Sequence, residues 1–330
     1  MPLTMKAIGV GLVSHLPGFR RIDGKATGGT NSARYCYATW MRHFSLLCED
    51  GHAGPFPTMV ELGPGDSIGV GIAAMLSGVV TNYIGLDVVR YASPERDLLL
   101  LDELVDLFRA HAPIPDDREF PGMFPRLASY DFRYGCLPAG WEAALSDDRV
   151  SELRAAVRGA SRSDNPNARV RYIAPWSPGQ LPDSSVDLTI SQTVLQLVDS
   201  VPDTYREMAR WTKPGGIVSH EIDFKSLGRT AEWNGHWAYS DKFWSIMQKN
   251  RTNRINRAPY SKHAAAMEAA GFDIFGSWRH IRPSEIDREK LAPCFAGMDD
   301  LELTTASALI QAVKGRHRGA QASSGQTMTP

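Results

Sequence analysis

A chain of 330 residues with net charge −1, 43% hydrophobic and 22% charged residues has the balance of a soluble globular protein, long enough for one large domain or one and a half. That charge leaves no global basic field to recruit nucleic acid, and no apolar stretch reaches the length of a membrane span. Cys36, Cys48, Cys136 and Cys294 form no C-x-x-C pair, so neither a zinc site nor a disulfide framework is indicated, and a reducing cytoplasm fits best.

Residues 1–16 carry one Lys and an apolar run broken by Gly9, Gly11 and Ser14, which is not the pattern of a secretory signal. Over 31–47, Tyr37, Trp40, Met41, Phe44 and Leu47 fall at helical spacing and predict a helix ahead of the first strand. A strand is expected at 58–62, a helix at 67–76 and a second strand at 81–87. The first strand ends in Glu61 and a turn, Gly63-Pro64-Gly65-Asp66, and the second ends in Asp87. This is the layout of the first βαβ unit of a nucleotide-binding sheet. Glycines let the backbone approach a ligand where a side chain would collide, and Asp87 is placed to accept hydrogen bonds from both hydroxyls of a ribose. A dinucleotide fingerprint would want glycine at position 68, where Ile68 stands, and Asp66 puts a negative charge where a pyrophosphate would sit. Asp66 and Glu61 suit instead a cofactor with a cationic amino acid end.

The second strand is followed by a long stretch, 91–167. Within it 98–110 is an amphipathic helix with Leu101, Leu104, Val105 and Phe108 on one face; a Pro-rich run at 113–125, aromatics at 130–134 and a helical pattern at 150–160 follow. An insertion of this size commonly caps a substrate. A third strand is expected at 169–173, ahead of Trp176, and a fourth at 185–192, with Gln192 and Gln196 at its end as contact candidates. Residues 209–218 read as helix, turn and fifth strand, with Lys213-Pro214-Gly215-Gly216 as the turn. Strand alternation sends His220 and Ile222 to one face, Glu221 and Asp223 to the other. Beyond lies the densest polar and aromatic set: Trp233, Asn234, His236, Trp237, Tyr239, Asp241 and Trp244. Aromatic faces beside Asn, His and Asp suit a sugar ring, so this segment is expected to be a substrate lid; a Trp-rich core corner is the competing reading. The basic cluster at 249–257, with Asn interleaved, reads equally as a solvated face or an anion site. A helix is expected at 260–271, with His263 beside Lys262 as a surface group, a strand at 272–278 and a last strand at 307–313. Residues 315–330 should form a disordered tail.

The Glu-x-Gly-x-Gly pattern of Glu61, Gly63 and Gly65, the 185–192 strand and the 209–218 segment resemble, in order and spacing, the class I S-adenosylmethionine-dependent methyltransferases. The resemblance runs from Val60 to Lys314 with the long interruption. Ser67 replaces a third glycine, and no acid stands at the tip of strand three. The resemblance implies an α/β, Rossmann-like sheet of seven strands with an antiparallel last strand, plus a largely helical insertion after strand two. It implies an N-terminal segment, 1–57, covering the cofactor, a catalytic domain at 58–314 and a cap at 91–167. S-adenosylmethionine would meet Arg34, Tyr35, Glu61, Gly63, Gly65, Asp66, Asp87, Val88, Trp176, Ser191 and Gln192. Residues 219–271, with Asn256 and Arg257, are also similar to a bacterial subgroup acting in polysaccharide and secondary-metabolite pathways.

Methyl transfer to a hydroxyl needs a base, and a neutral His serves near pH 7. His220 and His236 are the candidates, with Asp223 or Asp241 assisting; Gln196, Trp233, Asn234, Trp237 and Tyr239 would hold a sugar, glycoside or natural product. No metal-ligand spacing is present. An N-methyltransferase, which needs no base, and a nicotinamide-dependent oxidoreductase remain as alternatives. RNA methylation is disfavoured, since Ser191-Gln192-Thr193-Val194 stands where an Asn-Pro-Pro-Tyr-like tetrad would. A small-molecule acceptor, no nucleic acid, no membrane and a possible homodimer complete the expectation.

Overall fold

The computed structural model describes residues 29–160, 165–248 and 254–315. The expected features at 1–16 and 316–330, and most of the basic cluster at 249–257, lie outside the described residues.

Helix α1, Ala33–Glu49, is capped by the Ser32 hydroxyl accepting from the Tyr35 N–H. It leads to β1 (Phe56–Leu62), α2 (Gly69–Leu76) and β2 (Val80–Leu86). Ser93 and Pro94 start α3, Pro94–Arg109, with Glu95 and Asp97 in its first turn and Arg109 in its last, each on the side the helix dipole favours. Then come α4 (Asp147–Gly159), β3 (Val170–Ile173), β4 (Val186–Gln192), α5 (Val201–Trp211), β5 (Thr212–Asp223), α6 (Asp241–Gln248), α7 (Tyr260–Ala269), β6 (Phe272–Ile281), α8 (Asp300–Thr304) and β7 (Thr305–Lys314).

The seven strands form one sheet in the order β3-β2-β1-β4-β5-β7-β6. All neighbouring pairs among β1 to β5 are parallel, and β7 lies antiparallel between β5 and β6. This is the Rossmann-like class I methyltransferase sheet, and its strand order reverses between β1 and β4, where open α/β sheets bind ligands. The Lys213–Gly216 turn loops out of the β4–β5 ladder: Thr212 pairs with Val186, and pairing resumes only at Ile217 opposite Leu188.

Alternate strand residues feed two cores. Met59, Tyr83, Leu188, Ile190 and Ile217 pack under α1, α2 and α3, whereas Val60, Leu86, Ile222 and Ile310 pack under α5 and α7. Phe108, Ile114, Trp141, Leu153 and Val157 of the 91–167 stretch belong to the first core. Most of the insertion therefore thickens the α1–α2–α3 layer, and only a strap around Phe124 reaches the ends of β4 and β6. Helix α1 is buried on nearly all sides because it is sandwiched between sheet and insertion. Among the described residues no helix is long and apolar enough to cross a membrane.

Candidate functional site

At the carboxyl end of β1 the chain turns through Gly63 (φ 63°) and Gly65 (φ 74°), both in the left-handed region. A Cβ on Gly63 would fall 2.6 Å from Cγ2 of Val194, so the loop after β4 closes directly on this turn. Asp87, at the end of β2, faces the loop: Oδ2 accepts from the Gly65 N–H at 3.2 Å and Oδ1 from the Val88 N–H at 2.7 Å. Burial raises the Asp87 pKa, these backbone donors oppose the rise, and the nearby Asp66 adds to it. Thr30 sits over the loop, donating to the Pro64 carbonyl at 2.8 Å and accepting from the Ser67 N–H at 3.2 Å. The Trp176 N–H donates to the Asp87 carbonyl at 2.9 Å, which pins the turn after β3 beside the acid. The half-buried Trp176 ring meets Trp211 edge-on, and Val88 is exposed.

The N-terminus of α2 is already occupied. The Ile68 N–H donates to Asp97 Oδ1 at 3.0 Å and the Gly69 N–H to Ser67 Oγ at 3.1 Å. A pyrophosphate would have to displace a carboxylate there. Burial pushes Asp97 up to about 7.

Three members of the expected cofactor set are placed otherwise. Glu61 points into the interior, where Oε2 accepts from the Tyr83 hydroxyl at 2.6 Å, and burial pushes its pKa up to about 8. It supports the loop from below rather than facing a cationic ligand. Arg34 is spent on Glu119 of the insertion, Nε and Nη2 each 2.5 Å from a carboxylate oxygen. The Ser191 hydroxyl bonds His220 Nδ1 at 2.8 Å, on the α5 side of the sheet. Asp66 is buried, and its carbonyl accepts from Arg96 at 2.7 Å.

On the α1 side, the ends of β4, β5 and β7 carry a continuous polar chain. Gln311 Nε2 donates to Ser219 Oγ at 2.9 Å; Ser219 lies 2.7 Å from His43 Nδ1; His43 Nε2 lies 3.0 Å from Gln192 Oε1; Gln192 Nε2 donates to the Phe124 carbonyl at 3.4 Å. The Gln192 oxygen only accepts, so His43 donates from Nε2 and accepts at Nδ1. Burial lowers His43 to about 4 and keeps it neutral. Phe124 stacks on His280 of β6 at 3.9 Å and roofs this region. Burial, then the charges of Arg126, Lys225 and Arg282, lower the His280 pKa.

Beneath the roof Glu221 is 2% exposed, and burial, then Asp223, push it up to about 8 against the pull of Lys225. Asp223 accepts from the Lys225 N–H at 2.7 Å and pairs with its ammonium at 3.2 Å. Burial is the main cause of its raised pKa. Tyr35 is pushed up to about 12, first by burial and then by Glu221. His43, Thr30, Asp97, Glu221 and Phe124 were absent from the sequence-derived site. His43 and Glu221 left a signal, a polar residue inside an otherwise apolar helix face and an acid on the face opposite His220.

The expected bases are corrected. His220 is fully buried between Ser191, Tyr205 and the α7 core, and burial, then His43 and His263, lower it to about 3. His236 is equally enclosed by Trp237 and Trp244 and lowered to about 3 by burial and then Arg257. Neither side chain reaches the glycine loop. His263 is also buried, 3.2 Å from the Tyr205 hydroxyl, not on the surface.

The expected lid is a packed corner. The indole N–H of Trp233 donates to the Pro283 carbonyl (2.9 Å), that of Trp237 to Arg257 (3.1 Å) and that of Trp244 to Ile255 (3.1 Å). Asn234 gives its amide to Ser284 and to the Leu303 carbonyl and accepts from the Glu285 N–H, which consumes it. Tyr239 stacks on Phe243, and Asp241 pairs with the buried Arg257. Gln196 is buried, donating to the Thr193 carbonyl at 2.7 Å. Buried aromatics with satisfied N–H groups supply packing, and of this set only His236 Nδ1 and Gln196 Oε1 are buried atoms without a partner.

Residues 148–219 match the family model described as "Methyltransferase domain". A search of curated protein sequences returns no match. Solved structures similar to this chain include a putative sarcosine dimethylglycine methyltransferase from Galdieria sulphuraria (10% identity, 84% of this chain and 85% of that one, TM-score 0.43). A geranyl diphosphate C-methyltransferase from Streptomyces coelicolor A3(2) is similar at 14% identity, 84% and 78% coverage and TM-score 0.41. An S-adenosylmethionine dependent methyltransferase from Mesorhizobium loti is similar at 13% identity, 79% and 92% coverage and TM-score 0.38.

Proposed function

We propose that the chain is an S-adenosylmethionine-dependent methyltransferase acting on a hydroxyl of a small molecule. The observation that carries this is the side-chain-free turn at Gly63 and Gly65 facing the Asp87 carboxylate, at the point where the strand order reverses. The match of residues 148–219 to the methyltransferase model supports it from the other half of the sheet.

The cofactor, when bound, supplies a methyl group on a cationic sulfur. Asp87 keeps lone pairs free to accept from a ribose diol. Gly63 and Gly65 admit the ligand close to the backbone, and Trp176 and Val88 flank the place of the adenine. The acids Asp66 and Asp87 favour a cationic amino acid end, and the capped N-terminus of α2 speaks against a dinucleotide. Tyr35 on α1 and Gln192 at the end of β4 border the region where an acceptor would be aligned; much of the rate in such displacements comes from alignment. The acceptor class proposed is a small hydroxylated molecule, such as a sugar, a glycoside or another natural product. A cytoplasmic setting fits four cysteines that are all free thiols.

Calorimetric titration with S-adenosylhomocysteine, with NAD as control, tests the reading. Micromolar binding of the first alone is expected. Binding of NAD alone would sink the proposal.

A further inference from the structure

We propose that Glu221 is the base that takes the acceptor's proton, in the place sequence reasoning gave to a histidine. The inference rests on the methyl-transfer reading above. Its first support is position. Both neighbours of Glu221 touch the glycine loop or its cover. On the β4 side, the Thr193 N–H donates to the Glu221 carbonyl at 3.0 Å, and the next residue, Val194, is the one that closes on Gly63. On the α1 side, the Tyr35 ring lies against Gly29, one residue before the Thr30 that bonds the loop. Glu221 thus stands with only β4 between it and the strand that leads into the cofactor turn, on the side of the Phe124 roof.

The second support is an unmet hydrogen-bonding demand. Glu221 Oε2 and Ser307 Oγ are both buried and neither makes a well-formed hydrogen bond, Ser307 standing close enough to Glu221 to pull its pKa down slightly against the rise from burial. They lie on the same face, since Glu221 pairs across the ladder with Leu309 and Asp223 with Ser307. Thr39 Oγ1, one helical turn after Tyr35, is a third buried polar atom without a partner. Buried polar groups are nearly always satisfied, and atoms without a partner also occur away from this edge, at His220 Nε2 and His236 Nδ1. Glu221 and Ser307 differ from those in lying at the carboxyl edge of a ligand-binding sheet, where a polar ligand completes the bonding. A hydroxyl fits: it donates to the carboxylate and accepts from Ser307.

The chemistry balances. Glu221 takes the proton as the acceptor oxygen bonds the methyl carbon, and the electron pair of the breaking carbon–sulfur bond stays on sulfur. The carboxylate becomes a carboxylic acid while the sulfonium becomes a neutral thioether. Two opposite charges vanish together in a region that excludes water, which such a region favours. Burial raises the proton affinity of Glu221, so it is a stronger base than an exposed carboxylate, and the positive sulfur provides the charge that ionises it before reaction. Asp223 and then Lys225, whose side chain is 26% exposed, follow along the chain toward solvent.

The titratable groups that act on Glu221 are Tyr35 on α1 and Asp223 and Lys225 beyond it on β5, and Lys225 in turn acts, with Arg126 of the strap, on His280 of β6. The test compares affinities for S-adenosylmethionine and S-adenosylhomocysteine by calorimetry between pH 6 and 9, in the natural chain and in Glu221→Gln and Asp223→Asn. The two ligands share their amino and carboxyl groups, so their ratio isolates the sulfonium. The preference for S-adenosylmethionine should rise about tenfold as pH passes through 8 and Glu221 ionises, one pKa unit of coupling being a factor of ten. It should be flat in Glu221→Gln and persist in Asp223→Asn. A pH-independent ratio in the natural chain overturns the role of Glu221 and leaves the cofactor reading standing, and that arm needs no variant to fold. A rise that survives Glu221→Gln but not Asp223→Asn also overturns it. Binding of neither ligand removes the cofactor reading, and this proposal with it.

Discussion

Two regions of the molecule carry similar raw material and use it in opposite ways. At the β1–β2 end, a short turn built on two glycines faces the Asp87 carboxylate, with an exposed valine and a half-buried tryptophan beside it. At the corner between β5 and β6, three tryptophans, an asparagine and a histidine crowd together, and the indole N–H groups and the asparagine amide all end on protein acceptors. A ligand needs groups that are held in place yet still have bonds to make. Density of polar and aromatic residues measures neither condition; accounting for each donor and acceptor measures both.

The largest expected effect separates the two regions by stability. Trp237→Ala should cost about 3–5 kcal/mol, because it empties a buried site and orphans the Arg257 carbonyl. Cofactor affinity of the folded fraction should not change. Denaturant unfolding and calorimetry read the two quantities, and a selective loss of acceptor turnover at unchanged stability would restore the lid.

Asp87→Asn should act the other way round. Replacing a charged acceptor by a neutral one should weaken S-adenosylhomocysteine by about 1.5–3 kcal/mol, roughly tenfold to a hundredfold, with little change in melting temperature. An unchanged dissociation constant would move the ribose elsewhere.

The pH dependence of stability combines both regions. His43 (about 4), His220 (about 3), His236 (about 3) and His263 (about 3) titrate lower in the fold than their ordinary 6.5. The unfolded chain therefore binds more protons below 6.5, and their contribution, present above that pH, is lost as pH falls. Glu61 and Glu221 run oppositely: raised from 4.5 to about 8, their contribution is present below 4.5 and lost as pH rises to 8. Asp97, raised from 3.8 to about 7, adds to that loss. Between 4.5 and 6.5 four histidines outweigh three acids, and above 6.5 only the acids remain. Melting temperature should peak near 6.5, and in Glu221→Gln the alkaline fall should be shallower. A monotonic profile from pH 5 to 8.5 would contradict these burial assignments.

The smallest effect belongs to the surface. Arg34→Ala removes a half-exposed ion pair with Glu119 and should cost under about 1 kcal/mol. Since Arg34 is spent on the strap, S-adenosylhomocysteine affinity should stay within about twofold, a few tenths of a kcal/mol. A tenfold loss would return Arg34 to the cofactor's carboxylate.

Much of the sheet was legible because its signals are local. The Gly63–Asp66 turn, the Lys213–Gly216 loop and the apolar strand runs each dictate backbone shape within a few residues. Alternation on β5 separates Glu221 and Asp223 from His220 and Ile222, and the structure puts His220 and Ile222 on the α5 side and the other face, with Ser219, toward α1. What alternation withholds is which face opens to a ligand. Here helices cover both, only the strand ends stay accessible, and so His220 is sealed while Glu221 sits under the roof. His43 went unrecognised because α1 read as a one-sided helix, whereas the insertion buries its second side. The Trp233–Trp244 segment misled because its partners at 255–257, 283–285 and 303 are remote in sequence.

The polar chain from Gln311 to the Phe124 carbonyl bears on how the site is built up during folding. Its contact between the His43 carbonyl and Gln311 joins residues 268 positions apart. Such closures form late, since the intervening chain must be brought together first. The roof's fastening through Gln192 and His43 is completed by the strand that enters the sheet between β5 and β6. A chain in which β7 has not yet docked holds the glycine loop and Asp87 but has an unfastened strap. The cofactor turn can therefore form before the strap is fastened along the folding route, and the correct seating of one glutamine marks the passage from one to the other.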